Sequence, residues 1–417
     1  MRSDSQRLTR VTELLSSLVS LDSINPMGRP YSRSQPVERE SIEFIEKLFA
    51  PYRNKVSLQR QTCSAFHENL IICFGDTQGC PVGLFESHID TVPADDWRDR
   101  ALVPVVEDGC LIGRGACDDK GSLAAMILAL LEILEAGAEP PIPIVLLCAG
   151  DEENAQTGIR HFVENSHPDL AYAIFGEPTR LSPVVQHKGT IRWDIVVHGT
   201  SAHTCRPELG TNAILGMTEV VSALQTYQNR LQATYRSRYM TGPTITVTMI
   251  EGGRTRNATA DECKAAIDFR ILPNMDPARE FETLVEYLET LEWQISHSPL
   301  QLMTPALSTD PKLPFCQDLL EICHENVSSR VALRGEPYGT DAAWVSNLCP
   351  AVVLGPGDIS FAHAIDERVA LSEVAQAVEV YKQIMLHSFK SGFEESQVVI
   401  PNNLSDSVSD TMNSANL

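Results

Sequence analysis

The chain has 417 residues, of which 43% are hydrophobic, and its 33 basic and 55 acidic residues give a formal net charge of −22. This charge argues against nucleic acid and anionic membrane surfaces as partners, because both repel an acidic protein. No apolar stretch approaches the ~20 residues that a membrane helix requires. A chain of this length is expected to form two or three domains, and we expect two.

Two features of the sequence favour a cytoplasmic protein. The amino-terminal segment places Leu8, Val11, Leu15, Leu18 and Val19 on one helical face with charged residues opposite, whereas a signal peptide has an uninterrupted apolar centre. The eleven cysteines are odd in number and form no CxxC pair. Such usage is typical of reduced thiols rather than of a disulfide framework.

Helical and extended patterns alternate along residues 41–150, which predicts an α/β fold with a mixed, largely parallel sheet covered by helices. Residues 181–297 instead have half-exposed strands of alternating polarity and one long helix, which predicts an inserted α+β domain. The α/β pattern then returns, so residues 1–180 and 298–392 are predicted to form one discontinuous domain. The polar residues 393–417 lack periodicity and are predicted to be disordered.

Polar side chains follow several predicted strands at the point where each strand ends. The stretch GLFESHIDTVP contains His88 and Asp90, and CAGDEENAQTG contains Glu152 and Glu153. The stretch AIFGEPT adds Glu177. Because ligands bind at the carboxyl ends of parallel strands, these side chains are expected to lie along one edge of the sheet.

Each cluster has an ordinary structural explanation when it is taken alone. A buried structural pair explains His88 and Asp90 as well as a metal site does. The acids of GRGACDDKGS resemble caps of the helix that follows, and consecutive acids usually lie in a solvated loop. Together with His363 in GPGDISFAHAIDE, however, the clusters supply two histidines and several carboxylates. This donor set suits zinc, cobalt or manganese.

Together, the motifs resemble those of the acetylornithine deacetylase and succinyl-diaminopimelate desuccinylase family of dinuclear metallohydrolases. SHIDTVP, GRGACDDKG, DEE, GEPT, HGTSAHT and GPGDISFAHAIDE occur in the order and spacing of that family, from about Leu15 to Lys390. The segments EPTRLSPVVQHKGTIRWDIVVHGTSAHTCRPELGTNAI and PYGTDAAWV are most similar to the acetylornithine deacetylase branch. The resemblance implies a zinc-peptidase-like catalytic domain, an inserted lid domain that dimerises, and a homodimer.

The resemblance also implies a set of metal ligands. His88, Asp118 and Glu177 would hold one divalent ion. Asp118, Glu153 and His363 would hold the second. Asp118 would therefore bridge two ions. Zinc is the expected metal, and cobalt and manganese are the alternatives.

Further roles follow from the same resemblance. Glu152 would be the general base and acid, and Asp90 would orient the first histidine ligand. His203 in the insert would reach into the active site of the partner subunit. Arg270 and Asn257 resemble family positions that meet the substrate carboxylate or the closing lid.

The predicted reaction is hydrolysis of the amide bond of a small N-acyl amino acid or dipeptide-like substrate, by a hydroxide that bridges the two ions. N2-acetylornithine, an intermediate of arginine biosynthesis, is the best single substrate candidate. A desuccinylase, an aminoacylase and a carboxypeptidase remain open, because metal chemistry selects the amide and not the groups around it. The residues also leave open a non-catalytic homologue and a single structural metal with four saturated ligands.

Three positions depart from the family pattern. Asp119 stands where the family usually has methionine, beside the predicted bridging ligand. Glu86 stands where glycine or a small residue is frequent. The sequence NATA at Asn257 replaces a common Asn-hydrophobic-Pro pattern.

Overall fold

The computed structural model describes residues 4–31, 33–166 and 169–389, so the predicted tail at 393–417 lies outside the described residues. Within them, the α-helices are α1 (Asp4–Ser20), α2 (Arg39–Phe49), α3 (Arg98–Ala101), α4 (Lys120–Ala136), α5 (Thr157–Ser166), α6 (Ala213–Thr234), α7 (Pro277–Glu289), α8 (Pro314–Asn326) and α9 (Leu371–Leu386). Short 3-10 helices lie at Ala50–Tyr52, Pro207–Leu209, Asp341–Val345 and Ile359–Phe361. Among the helices of this described part, none has the length and apolar character needed to cross a membrane.

The strands are β1 (Val56–Thr62), β2 (Glu68–Phe74), β3 (Val82–His88), β4 (Val105–Glu107), β5 (Cys110–Ile112), β6 (Ile144–Ala149), β7 (Leu170–Phe175), β8 (Val184–His187), β9 (Gly189–His198), β10 (Thr244–Gly252), β11 (Glu262–Ile271), β12 (Gln294–His297), β13 (Leu302–Thr304), β14 (Leu307–Ser308), β15 (Arg334–Glu336), β16 (Ala351–Val353) and β17 (Arg368–Ala370).

The chain divides into two compact units. Unit 1 contains the residues up to 185, residues 308–334 and the described residues from 340 onward. Unit 2 contains residues 186–307 and 335–339. That the predicted insert, 181–297, folds as a domain of its own remains a proposal.

Unit 1 contains most of a mixed sheet in the strand order β1-β2-β6-β3-β7-β16-β8-β14, with β15 beside β8. The central strands β6, β3, β7 and β16 run parallel, whereas β1, β2 and β8 are antiparallel to their neighbours. Every residue of β3 and β6 is buried, as expected for central parallel strands covered by helices on both faces. The predicted α/β fold with a largely parallel sheet is confirmed.

Helix α4 is the central helix of unit 1 and begins directly after the loop that carries Asp118. It is apolar on nearly all sides because α1 and α9 pack against it. Its first residue, Lys120, is buried and donates from Nζ to the carbonyl oxygens of Leu18 and Leu21, each at 2.9 Å. The helix ends at Gly137, whose φ of 65° is the left-handed cap conformation that favours glycine. The start of α4 is therefore fixed to the end of α1.

Unit 2 contains an antiparallel sheet in the strand order β10-β11-β9-β12, with β13 also paired to β9. The predicted alternating strands in this part of the chain are β9, β10 and β11. Helices α6 and α7 pack on the sheet and form a separate hydrophobic core with it. Strand β10 lies at the edge of the sheet, and Met249 and Ile250 on it are 62% and 55% exposed.

Candidate metal centre

Four of the predicted site residues lie at the carboxyl ends of three neighbouring strands. His88 is the last residue of β3, Glu152 and Glu153 follow the end of β6, and Glu177 follows the end of β7. Strands β6 and β7 flank β3 and run parallel to it, so the three carboxyl ends meet at one edge of the sheet. The structure therefore brings these side chains together.

Asp118 lies between two histidines. Its Oδ1 is 3.0 Å from Nε2 of His88, and its Oδ2 is 3.2 Å from Nε2 of His363. Nε2 of His363 is also 3.2 Å from Oε2 of Glu153. A carboxylate whose two oxygens face two different imidazoles is placed to bridge two ions.

Among the described residues, two groups of three side chains bring their ligand atoms within 4.8 Å of one another. The groups are His88, Glu152 and Glu177, and His88, Asp118 and Glu153. Together with His363, they contain every side chain that the family resemblance implies as a metal ligand, and they add Glu152.

The carboxylates of this site carry more negative charge than its histidines compensate. Burial and the negative charges of Glu153, Asp118 and Asp90 raise the pKa of Glu152 to about 8, although the charge of His88 opposes them. Burial, together with neighbouring carboxylates, also raises the pKa of Glu177 well above its usual value. An excess of buried acid charge is stabilised by divalent cations, and the donors are those that such cations bind. The residues present therefore fit a metal site.

The pKa values of the two histidines are also raised, because both imidazoles lie beside the Asp118 carboxylate. Burial lowers the pKa of His88, but the hydrogen bond with Asp118 and the surrounding negative charges together raise it more, so the net shift is well upward. Hydrogen bonds with Asp118 and Glu153 raise the pKa of His363 to about 10. Metal ions bind the neutral imidazole, so metal binding at this centre competes with protons.

Asp90 contacts His88 through its main chain. Nδ1 of His88 donates to the carbonyl oxygen of Asp90 at 2.8 Å, whereas the carboxylate oxygen Oδ1 is 3.7 Å away. Strand β3 ends at His88 and does not continue through Asp90. The Asp90 carboxylate instead accepts the backbone N–H groups of Glu152 and Glu153, at 3.1 and 3.3 Å. Asp90 thus fixes the imidazole by its carbonyl group and positions the acid pair by its side chain.

Asn25 is a residue of this site that sequence reasoning missed. It is fully buried, and its Nδ2 donates to Asp90 Oδ2 at 2.8 Å and to Asp151 Oδ1 at 2.9 Å. These partners are 65 and 126 positions away along the chain. The local sequence offered only the turn signal of an Asn followed by Pro26.

The two unusual acids beside the ligands are both buried. Oδ2 of Asp119 accepts a hydrogen bond from Oγ of Ser87 at 2.5 Å, and burial raises the pKa of Asp119 to about 7. Glu86 is 2% exposed and lies two residues before His88 on β3. Oδ1 of Asp119 and Oε1 of Glu86 have no hydrogen-bond partner among the described residues.

The three remaining predicted site residues belong to unit 2. His203 and Asn257 are exposed, and Nδ1 of His203 accepts the backbone N–H of Cys205 at 3.1 Å. The guanidinium of Arg270 donates to Asp268 at 2.6 Å and to Thr190 at 3.0 Å. The roles of these three residues stay predictions.

Comparison with known proteins agrees with the sequence motifs. The model of the family described as peptidase family M20/M25/M40 matches residues 84–387. The acetylornithine deacetylase of Vibrio cholerae serotype O1 is 32% identical over 339 residues, which cover 79% of this chain and 86% of that protein.

The solved structures that share the fold include two M20 family proteins. The M20 family metallo-carboxypeptidase Sso-CP2 from Sulfolobus solfataricus aligns with a TM-score of 0.74 at 18% identity and covers 92% of this chain and 99% of its own. The Bacillus subtilis YXEP protein, described as a dinuclear metal binding peptidase from the M20 family, aligns with a TM-score of 0.66 at 15% identity, over 92% of this chain and 99% of its own.

These findings confirm the family inferred from the motifs. The family model covers more than half of the chain, and the sequence similarity to the relatives extends over most of its length. The chain belongs to peptidase family M20/M25/M40 and is a metal-dependent amidohydrolase.

Proposed function

We propose that the protein removes the acetyl group from N2-acetylornithine, a reaction of arginine biosynthesis. The curated relatives named acetylornithine deacetylase, at 29–32% identity, support this substrate. The hydrolytic chemistry rests on one observation, the Asp118 carboxylate whose two oxygens face His88 and His363. A carboxylate in this position would offer one oxygen to each of two ions, beside one imidazole for each.

The proposed cofactor is a pair of divalent ions, with zinc as the expected metal and cobalt or manganese as the alternatives. His88, Asp118 and Glu177 would hold one ion, and Asp118, Glu153 and His363 the second. When bound, such ions lower the pKa of a coordinated water, so that hydroxide is available near neutral pH.

Glu152 is the proposed general base and acid. Its carboxylate takes the proton of the attacking water and later delivers it to the nitrogen of the departing amine. Nε2 of Gln156 donates to Oε1 of Glu152 at 3.1 Å, and Asp90 holds its backbone N–H. Since burial and neighbouring acids raise the pKa of Glu152 to about 8, the carboxyl group is able to hold the proton between the two steps.

The proposed assembly is a homodimer formed through unit 2. An exposed sheet edge with apolar side chains is a surface that proteins usually cover, and β10 carries Met249 and Ile250 at such an edge. In the dimer, His203 of the partner subunit would stabilise the negative oxygen that develops on the substrate. We also propose a cytoplasmic location, which the eleven free cysteines support.

The shared active site predicts complementation between inactive subunits. Glu152→Gln and His203→Ala are each expected to be inactive as homodimers. After dissociation and mixing in equal amounts, one site of each mixed dimer has both intact residues, so about a quarter of wild-type activity should return. Mixing Glu152→Gln with Asp118→Asn is the control, because both changes lie in unit 1 and no site becomes intact. A mixture that stays inactive while mixed dimers form would show that His203 does not act across the dimer.

A substrate panel tests the proposed specificity. The metal-loaded protein is assayed with N2-acetylornithine, N-succinyl-diaminopimelate, N-acetylated neutral amino acids and dipeptides. We expect kcat/KM for N2-acetylornithine to exceed the values for the remaining substrates by at least about tenfold, because a site built for a polar side chain rejects analogues that lack it. A higher value for another substrate would reassign the specificity, and no hydrolysis of any amide would indicate a non-catalytic homologue.

A further inference from the structure

We infer that Glu367 is a positioning residue that sets the spacing between Asp118 and His363, and through it the spacing of the two ions. The inference rests on the proposed dinuclear function. Glu367 itself contacts neither substrate nor metal in this assignment, and it acts through the two loops that carry these ligands.

Glu367 holds both ends of the loop that leads to Asp118. Its Oε1 accepts the backbone N–H groups of Cys117 and Asp118, each at 2.9 Å, and its carbonyl oxygen accepts the N–H of Gly113 at 2.9 Å. The residue is completely buried. It lies four positions after His363, so one residue joins the segments of two ligands.

Arg114 extends this connection to a third segment. Its Nη1 is 2.5 Å from Oε2 of Glu367, and its Nη2 donates to the carbonyl oxygen of Pro93 at 3.2 Å. The guanidinium carbon also lies 5.4 Å from the centre of the Trp97 ring. Pro93 follows His88 by five residues. The Arg114–Glu367 pair therefore ties together the chain segments that carry His88, Asp118 and His363.

The segment that carries His363 needs such an anchor. His363 and Asp366 have φ angles of 60° and 56°, a left-handed conformation that is unfavourable for residues other than glycine and persists only where surrounding contacts hold it. The His363 side chain is 53% exposed, so packing alone supplies little support. The four hydrogen bonds of Glu367 with Gly113, Arg114, Cys117 and Asp118 support this segment from its buried side.

Glu367→Gln is the informative variant because it keeps the size of the side chain. One oxygen of Glu367 faces two N–H donors and the second faces a guanidinium. Whichever way the glutamine amide turns, its NH₂ group meets donors, so one set of partners loses its acceptor. The matched control is Glu132→Gln, which disturbs an Arg–Glu pair elsewhere in unit 1, with Arg7 at 2.9 and 3.1 Å.

The experiment titrates the full-length apoprotein with Co²⁺ and records calorimetry, visible absorption and EPR for each variant. We expect Glu367→Gln to lose about 10- to 100-fold in affinity for at least one of the two ions, the range typical of residues that support metal ligands. We also expect weaker magnetic coupling between the ions, and a fall in kcat larger than any rise in KM. Glu132→Gln should match the wild type in all these measurements.

A purely structural role makes a different prediction. Both variants would then lower the melting temperature, while Co²⁺ affinity and spectra stay as in the wild type, and this result would overturn the inference. If Glu367→Gln does not fold, Arg114→Lys replaces it, because lysine keeps the charge and loses the fork that reaches both Glu367 and Pro93. Unchanged Co²⁺ affinity in Arg114→Lys would equally overturn the inference.

The wild-type titration separates this inference from the proposed function. A wild-type protein that binds two Co²⁺ ions but hydrolyses no acylated amino acid contradicts the proposed substrate, and leaves the comparison between variants valid. A wild-type protein that binds only one ion contradicts the dinuclear site and the role of Glu367 with it.

Discussion

Glu152→Gln is expected to reduce kcat by about 10²- to 10⁴-fold, the contribution typical of a positioned general base, while the protein keeps its metal ions. Glutamine has the size of glutamate but takes no proton from the attacking water. Glu152 is 3.1 Å from Gln156 Nε2, and a glutamine oxygen at the same place preserves that contact. Turnover of N2-acetylornithine and metal content of the same preparation are the two measurements.

The matched control is Glu164→Gln, which changes an exposed acid of helix α5 in the same unit. It should leave kcat and metal content unchanged. Full metal content with turnover close to that of the wild type in Glu152→Gln would remove this residue from the mechanism. Loss of metal together with activity would instead indicate that Glu152 is a ligand, a role for which its place beside His88 and Glu177 also suits it.

The pH dependence of the wild type tests the same role. A general base must be ionised, so kcat/KM should fall as the pH drops through the pKa of Glu152. Burial and neighbouring acids raise that pKa to about 8, and nearby cations lower it because they favour the ionised carboxylate. The acid limb is therefore expected below pH 8, and it should move to higher pH when the protein carries fewer ions.

The sequence could predict those residues of the site that lie at the ends of buried strands. The apolar runs before His88, Glu152 and Glu177 identify buried strands, and their parallel order places the three carboxyl ends at one edge. This follows from the general geometry of α/β sheets and needs no knowledge of side-chain contacts. For this reason the fold class and the grouping of ligands were within reach of sequence analysis.

The supporting residues depend on contacts that no local pattern reveals. Asn25 meets Asp90 across 65 positions, and Glu367 meets Cys117 across 250. Strand β3 ends at His88, and the next residues turn toward the loop after β6, where Asp90 accepts the backbone N–H of Glu152. Tertiary packing decides such contacts. Neither an asparagine before a proline nor a glutamate in a loop indicates them.

Asp118→Asn is the second substitution with a large expected effect, because it removes the carboxylate whose two oxygens face His88 and His363. Asparagine keeps a single neutral oxygen, so it serves at most one ion and supplies no charge to either. We expect the variant to retain no more than one ion after dialysis and to show no turnover above background. In the wild type, metal at about 100 times its Kd should add about 2.7 kcal/mol to the free energy of unfolding, and Asp118→Asn should lose most of this stabilisation.

Asp119→Asn is the control for this experiment, since it makes the same chemical change at the next residue. Asp119 is as deeply buried, but its carboxylate faces Ser87 and neither histidine contacts it in the structure. Asparagine keeps the size of the side chain and an oxygen that can accept from Oγ of Ser87, so a neutral amide there costs little. Metal content and the stabilisation by added metal should therefore stay near the wild-type values. If Asp119→Asn lost both ions while Asp118→Asn kept them, the bridging carboxylate would be Asp119, and the assignment of every ligand around Asp118 would have to change.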